Sequence, residues 1–175
     1  MLGVARLVLL GRRDSGLPGW RSGTHRRALA AADTLALARR VAELADAEGA
    51  GTVVHDDEPG IYGHPDHVAV HRIGAAAATL AGIPGYEATV AAGRPRTRRP
   101  HLVDRAAGTP VGWDAADIST VVVADPADLR AKRRAMAAHG SQIPREAVRR
   151  PGFAAAYGRE WFRRTGGPGL LDAPF

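Results

Sequence analysis

Apolar residues follow two alternating patterns along the chain, short continuous runs and runs at helical spacing. The short runs predict strands at 6–10, 51–54, 86–91 and 118–124. The helical spacing, with prolines at helix starts and glycines at helix ends, predicts helices at 32–48, 65–82 and 126–138. Strands that alternate with helices are typical of an α/β fold, so we expect a Rossmann-like, mostly parallel sheet sandwiched by helices.

The same pattern predicts the domain organisation. We expect a single domain over 1–165, followed by an irregular tail over 166–175 that has no periodicity. Residues 93–112 depart from the alternation and are predicted to form an exposed loop, or alternatively an anion-binding lip over a site. The arginines of this loop are Arg94, Arg96, Arg98 and Arg99.

Composition narrows the chemistry available to the 175-residue chain. It contains no cysteine, so disulfides and cysteine nucleophiles are excluded, and a metal site must use His, Asp and Glu. The net charge is +6, but Lys132 is the only lysine, and this arginine bias indicates codon usage rather than a nucleic-acid partner. No apolar run reaches the ~20 residues of a membrane span. The apolar opening fits a strand better than a signal peptide, so we expect a cytoplasmic protein.

Candidate chemistry is concentrated at 55–71, in the segment HDDEPGIYGHPDHVAVH between a predicted strand and a predicted helix. In open α/β sheets, sites form at the carboxyl ends of strands. In one interpretation, His67 is a metal ligand and His64 its catalytic partner. In a second, His67 and His71 are a ligand pair at i and i+4. In a third, the histidines are capping or surface residues, which we favour only for His71.

The sequence YGHPDH at 62–67 resembles the second signature of the PIG-L/LmbE-like zinc de-N-acetylases. Three further segments resemble this family in the same order along the chain, namely RDSG at 13–16, AHGSQ at 138–142 and EWF at 160–162. The resemblance implies a zinc-dependent hydrolase that removes an acetyl group from an N-acetylglucosamine-type conjugate.

One signature of that family is absent. Its members open with a strand ending in H-P-D-D-E, which supplies two zinc ligands and the general base. The sequence HDDE at 55–58 lacks the proline, and its acids follow the histidine one position too early. We therefore expect a domain that lacks the family's first βα unit and is N-terminally truncated relative to the family. Its zinc site would be incomplete, and the chain alone would have little or no activity.

The resemblance implies roles for the matched residues. His67 would bind zinc, which lowers the pKa of a bound water. His64 would stabilise the oxyanion or protonate the leaving amine, and Asp66 would orient His64. The residues expected to contact the substrate are Arg13, Asp14 and Tyr62.

Alternative functions remain at this point. The first is a non-catalytic sugar- or nucleotide-binding paralogue without the zinc site. A nucleic-acid binder is disfavoured because no aromatic residues interleave with the arginines, and a dehydrogenase because G-x-G-x-x-G is absent. We expect a small-molecule amino-sugar substrate, no nucleic acid, and possible homo-oligomers through an exposed sheet edge. His139 and Gln142 are expected to support the site or cap a helix.

Overall fold

The computed structural model describes residues 3–93, 112–141 and 143–172. The helices are α1 (Thr34–Ala47), α2 (Gly60–Gly63), α3 (Pro65–Ala81), α4 (Pro126–Ala138), α5 (Arg145–Arg149) and α6 (Phe153–Tyr157). The strands are β1 (Val53–Asp56), β2 (Gly85–Thr89), β3 (Thr120–Val123) and β4 (Arg159–Thr165). The arginine-rich segment predicted at 93–112 lies almost wholly outside the described residues, as does Gln142.

The four strands form one sheet in the order β1-β2-β4-β3. The α/β prediction is confirmed, but the sheet is mixed rather than mostly parallel, because only β1 and β2 pair in parallel. The connection from β3 to β4, residues 124–158, contains α4, α5 and α6 and returns to the end of the sheet at which β3 finishes. Ala124, which follows β3, donates its backbone N–H to the carbonyl of Gly158, which precedes β4, at 2.9 Å. Because these two ends meet, β4 must run back along β3.

The prediction of a buried strand at 6–10 is wrong for the described structure. Residues 3–12 form no ladder with any described strand, and the side chains of Leu7 and Leu9 are 77% and 83% exposed. An apolar run becomes a buried strand only when a neighbour pairs with it, and none of the described strands does. The segment is held to α1 by an ion pair between Arg6 and Glu48.

The predicted helices are confirmed, and their ends agree with the capping signals. The Asp33 side chain accepts a hydrogen bond from the N–H of Ala36 and so caps α1. Helix α3 begins with Pro65 and ends at Gly82, whose left-handed backbone favours glycine. Helix α4 follows a capping box formed by Asp125 and Asp128.

Helices cover both faces of the sheet, as predicted. Helix α3 packs on β1 and β2, and α1 packs on α3. The other face carries Tyr86 and Phe162, whose rings meet edge to face with centroids 6.3 Å apart. A separate apolar cluster joins α4, α5 and α6 around Phe153. Within the described residues, no helix has both the length and the apolar character needed to span a bilayer.

Candidate active site

The site is built where β1 ends and the chain turns into α3. Asp57, which is fully buried, accepts hydrogen bonds from the Ile61 N–H at 2.7 Å and the Thr89 hydroxyl at 2.6 Å. These bonds hold Ile61 at a φ of 62°, a left-handed conformation that is strained for a β-branched residue. Gly60 lets the turn approach α3 closely, since a Cβ there would meet the Val68 nitrogen at 2.9 Å. The turn is therefore a fixed scaffold for the residues that follow it.

His64 lies at the N-terminal end of α3 and caps the helix. Its Nδ1 accepts a hydrogen bond from the backbone N–H of Asp66 at 3.2 Å. A neutral imidazole that accepts at Nδ1 carries its proton at Nε2. His64 therefore presents an Nε2–H donor on the side of the ring away from the helix.

His67 faces an acid that the sequence analysis did not assign to the site. Its Nδ1 lies 3.4 Å from the Asp56 carboxylate, which is contact distance but longer than an ordinary hydrogen bond. The Asp56 carboxylate raises the pKa of His67, and partial burial opposes it. With Nδ1 turned towards a carboxylate, Nε2 is the nitrogen left for a ligand, as in carboxylate–histidine–metal arrangements.

Three predicted site residues form one aromatic cluster. The ring centroid of His64 lies 5.1 Å from that of His67, and the Tyr62 ring lies 6.0 Å and 5.7 Å from these two. The structure thus brings together Tyr62, His64 and His67, all of them half-buried. Such a cluster at the N-terminal end of a helix offers hydrogen-bond donors to an anionic or polarised oxygen.

The RDSG segment at 13–16 lies against the same helix turn. The buried Ser15 donates its backbone N–H to the Asp66 carboxylate at 3.0 Å, and its hydroxyl accepts from the Ala30 N–H at 2.9 Å. Asp14 and Arg13 are exposed beside it. The Asp66 carboxylate therefore fixes this loop, and Asp66 positions His64 through its backbone N–H rather than through its side chain.

A buried polar network behind the site was missed by the sequence analysis. Glu87 on β2 forms an ion pair with Arg163 at 2.9 Å and lies 3.9 Å from Nδ1 of His71. The Arg163 guanidinium lies 3.5 Å from the centroid of the Trp113 ring. His71 is therefore engaged with the sheet, which favours a structural role for it over pairing with His67 as a ligand. The i, i+4 spacing with His67 identified His71 as a candidate, but nothing in the sequence indicated that Glu87 would be its partner.

His55 is buried under α3. Burial lowers the pKa of its imidazole, and its Nδ1 lies 2.8 Å from the Asp56 carbonyl oxygen. The ring fits because α3 carries Gly74 at that level, where a Cβ would lie 2.4 Å from the Cβ of His55. His55 is thus part of the helix–sheet packing beneath the site.

The two remaining motifs, the described part of AHGSQ at 138–141 and EWF at 160–162, lie on the side of the sheet opposite to α3. Lys132 of α4 pairs with Glu160 of β4 and donates to the Tyr157 carbonyl at 3.1 Å. His139 caps the C-terminal end of α4 and lines a cleft of about 520 Å³ together with these two residues. The late-helix and C-terminal motifs therefore contact each other rather than the Tyr62 cluster.

The described residues do not form a complete zinc site. Catalytic zinc sites use three protein ligands. Among the described residues, no group of three or more histidine or acidic side chains is close enough to hold a metal ion. His67 has the geometry of a single ligand, with a carboxylate behind it.

The chain was compared with protein families and with curated proteins of known name. No family model matches the chain. It is 38% identical over 161 residues to the 1D-myo-inositol 2-acetamido-2-deoxy-alpha-D-glucopyranoside deacetylase of Nakamurella multipartita, covering 81% of this chain and 55% of the relative. The proteins of the same name from Tsukamurella paurometabola and Thermomonospora curvata are 33% and 31% identical, over 75% and 89% of this chain and 52% and 61% of the relatives.

The chain thus spans about half the length of the curated relatives that it matches. The matched stretch covers most of this chain at 31–38% identity. Over the part of the relatives that it spans, the chain belongs to the PIG-L/LmbE-like de-N-acetylase family that its motifs resemble.

Proposed function

We propose that this chain carries the substrate-binding and proton-transfer part of a metal-dependent deacetylase that acts on an N-acetylglucosamine-type conjugate in the cytoplasm. The observation that carries the proposal is the Tyr62–His64–His67 cluster at the N-terminal end of α3, beside the RDSG loop. The relatives' names support the class of substrate, a 2-acetamido sugar linked to inositol.

The chemistry assigned to this chain is hydrolysis of an acetamide. Water adds to the carbonyl carbon, the C–N bond breaks, and acetate and a free amine leave. The Nε2–H of His64 donates to the developing oxyanion or delivers the proton that the amine nitrogen takes up. Tyr62 donates to the oxyanion or to the substrate. Arg13 and Asp14, exposed on the adjoining loop, hydrogen-bond sugar hydroxyls.

Zinc is the cofactor that the family resemblance implies, with His67 as the ligand from this chain. Because the described residues offer no three-ligand group, the proposal includes a second part. The 175-residue chain alone binds zinc weakly and releases little or no acetate. The alternative is a paralogue that binds a sugar or nucleotide without chemistry, and the same absence of a three-ligand group favours it.

Acetate release and zinc content measured on the same preparation test these statements. The isolated chain should contain far less than one zinc per chain and release no acetate from the inositol-linked 2-acetamido sugar. Stoichiometric zinc with turnover would contradict the second part. A chimera that adds the part of the Nakamurella relative that this chain does not match should deacetylate this sugar and lose activity on His67→Ala, with Asp46→Ala as an exposed control. A folded chimera that binds zinc but does not deacetylate would favour the binding paralogue.

A further inference from the structure

The segment at 11–32, which contains the RDSG loop, carries an excess of positive charge. Its arginines are Arg12, Arg13, Arg21, Arg26 and Arg27. Its only acid is Asp14, whose carboxylate accepts the N–H of Gly16 at 2.5 Å and so turns back onto its own loop. Among the described residues, no carboxylate forms an ion pair with Arg13. The exposed Arg13 guanidinium is therefore a cation without a counter-charge.

Backbone hydrogen bonds fix the side chain of Arg13 beside that of His25. The Arg13 N–H donates to the Arg27 carbonyl at 2.9 Å, and the Leu29 N–H donates to the Arg13 carbonyl at 3.0 Å. These bonds form a parallel bridge between Arg13 and Ala28. Next to the bridge, Nη1 of Arg13 lies 3.3 Å from Nε2 of His25.

Both ring nitrogens of the half-buried His25 face hydrogen-bond donors. Its Nδ1 accepts the backbone N–H of Arg27 at 3.0 Å, and its Nε2 faces the Arg13 guanidinium. A neutral imidazole has one acceptor nitrogen, and a guanidinium has none. With Nδ1 as the acceptor, Nε2 carries the proton. A ring N–H and a guanidinium N–H therefore meet without an acceptor between them, and one oxygen atom could accept from both.

The pair lies on the loop that the proposed function assigns to the substrate. Arg13 is two residues before Ser15, whose N–H donates to the Asp66 carboxylate at the first turn of α3. Two residues of extended chain span at most about 7 Å, so the Arg13 backbone stays close to that turn. A ligand held by the RDSG loop is thus within reach of Arg13 and His25.

We propose that Arg13 and His25 bind an anionic oxygen group, phosphate or carboxylate, on a part of the substrate outside its acetamido sugar. One oxygen of that group accepts from both N–H donors, and the arginine charge strengthens these bonds. The guanidinium has five N–H donors, so it can contact a sugar hydroxyl as well. The assignment rests on the proposed function and adds an acidic group to the substrate. The name of the relatives' substrate contains no such group.

Long-range ¹H–¹⁵N correlation spectra of the His25 ring test the tautomer in the chain without ligand. We expect a protonated Nε2 and an unprotonated Nδ1 at alkaline pH, because Nδ1 accepts from Arg27. The opposite tautomer would overturn the proposal, since Nε2 would then accept from Arg13 and no donor would lack an acceptor.

Titration with inorganic phosphate, and separately with acetate, tests binding at constant ionic strength. The His25 ring signals should shift and saturate with at least one of the two anions, and the tighter one identifies the group. Arg13→Gln and His25→Ala should each weaken binding by about tenfold or more. Arg26→Gln is the matched control, because it removes the same charge from an exposed arginine of the same segment. Saturation by neither anion, or equal weakening by Arg26→Gln, would overturn the proposal.

The titration requires neither metal nor turnover, so its failure is separate from failure of the proposed function. A chimera that deacetylates the uncharged inositol-linked sugar, together with a chain that binds neither anion, would leave the proposed function intact and contradict the anion site. Saturable, Arg13-dependent binding in a chain whose chimera is inactive would support the anion site and contradict the proposed reaction.

Discussion

The Asp66 carboxylate accepts the backbone N–H of Ser15 at 3.0 Å, across 51 positions of sequence. This one hydrogen bond brings the RDSG loop to the first turn of α3. The backbone N–H of Asp66 meanwhile donates to Nδ1 of His64. One residue therefore sets both the position of the RDSG loop and the orientation of the His64 imidazole.

Replacement of Asp66 by alanine should release the loop at 13–16. The partly buried N–H of Ser15 would lose its acceptor, and leaving such a donor unpaired costs about 1–3 kcal/mol. We expect a lower urea midpoint and faster amide exchange in the RDSG loop. Asp46→Ala, which changes an exposed aspartate of α1, should leave both unchanged. Unaltered exchange at Ser15 in Asp66→Ala would show that this hydrogen bond does not fix the loop.

His55 and His67 should affect the stability of the metal-free protein in opposite ways as the pH changes. Burial lowers the pKa of His55 below 6.5, so the folded state resists protonation there. The contribution of His55 is therefore present above pH 6.5 and is lost as the pH falls through its lowered pKa. The Asp56 carboxylate raises the pKa of His67, so its contribution is present below pH 6.5 and is lost as the pH rises through the raised pKa.

Urea unfolding between pH 5 and 9 separates these contributions. His55→Gln should flatten the loss of stability on the acid side, and His67→Gln should flatten the loss on the alkaline side. His139, which is exposed at the end of α4, provides the control variant His139→Gln. If His55→Gln leaves the acid-side slope at its wild-type value, protonation of His55 is not what destabilises the fold there.

The sequence predicted those elements whose signals are local. Helices α1, α3 and α4 follow from their apolar spacing together with Asp33, Pro65 and the Asp125–Asp128 box, each of which acts within one helix turn. Strand β4 was missed because only one residue of REWFRRT, Phe162, is buried, and most of the other residues are charged. The prediction of a strand at 6–10 was wrong for the opposite reason. Its apolar pattern is strong, but no described strand pairs with it.

The site was predictable only as far as its motifs extend. The YGHPDH segment identified Tyr62, His64 and His67, and the structure places them together. The contacts of Asp56 with His67 and of Glu87 with His71 depend on how β1 and β2 meet α3. Strand register and helix position are long-range features, so spacing within one segment carries no information on them.

Gly74 should be intolerant of a single added methyl group. Gly→Ala in a helix normally gains about 1 kcal/mol. At Gly74 a Cβ would lie 2.4 Å from the Cβ of His55, so overpacking should reverse the sign and cost about 1–3 kcal/mol. Gly51→Ala is the control, since no atom lies within 4 Å of its added Cβ. Thermal unfolding of the two variants measures the difference, and a Gly74→Ala protein as stable as the wild type would mean that α3 is not in contact with His55.

Asp172 should fasten the C-terminal turn to the sheet. Its carboxylate accepts hydrogen bonds from the hydroxyls of Thr120 and Tyr86 and from Arg164, and these donors hold its pKa well below the usual range. Asp172→Ala leaves the buried Tyr86 hydroxyl without its acceptor, so this variant should lower the melting temperature more than Tyr86→Phe does. The double variant should melt close to Asp172→Ala, because the two residues share one interaction.

The exposed Asp117 supplies the matched control, because Asp117→Ala removes a carboxylate without leaving a buried hydrogen-bond donor unpaired. Its melting temperature should equal that of the wild type at neutral pH. Because the pKa of Asp172 is lowered by its partners, its contribution is present above the unfolded value near 3.8 and is lost as the pH falls further. The melting temperatures of Asp172→Ala and the wild type should therefore converge in strong acid. A difference that stays constant down to pH 2 would mean that Asp172 acts through packing rather than through its charge.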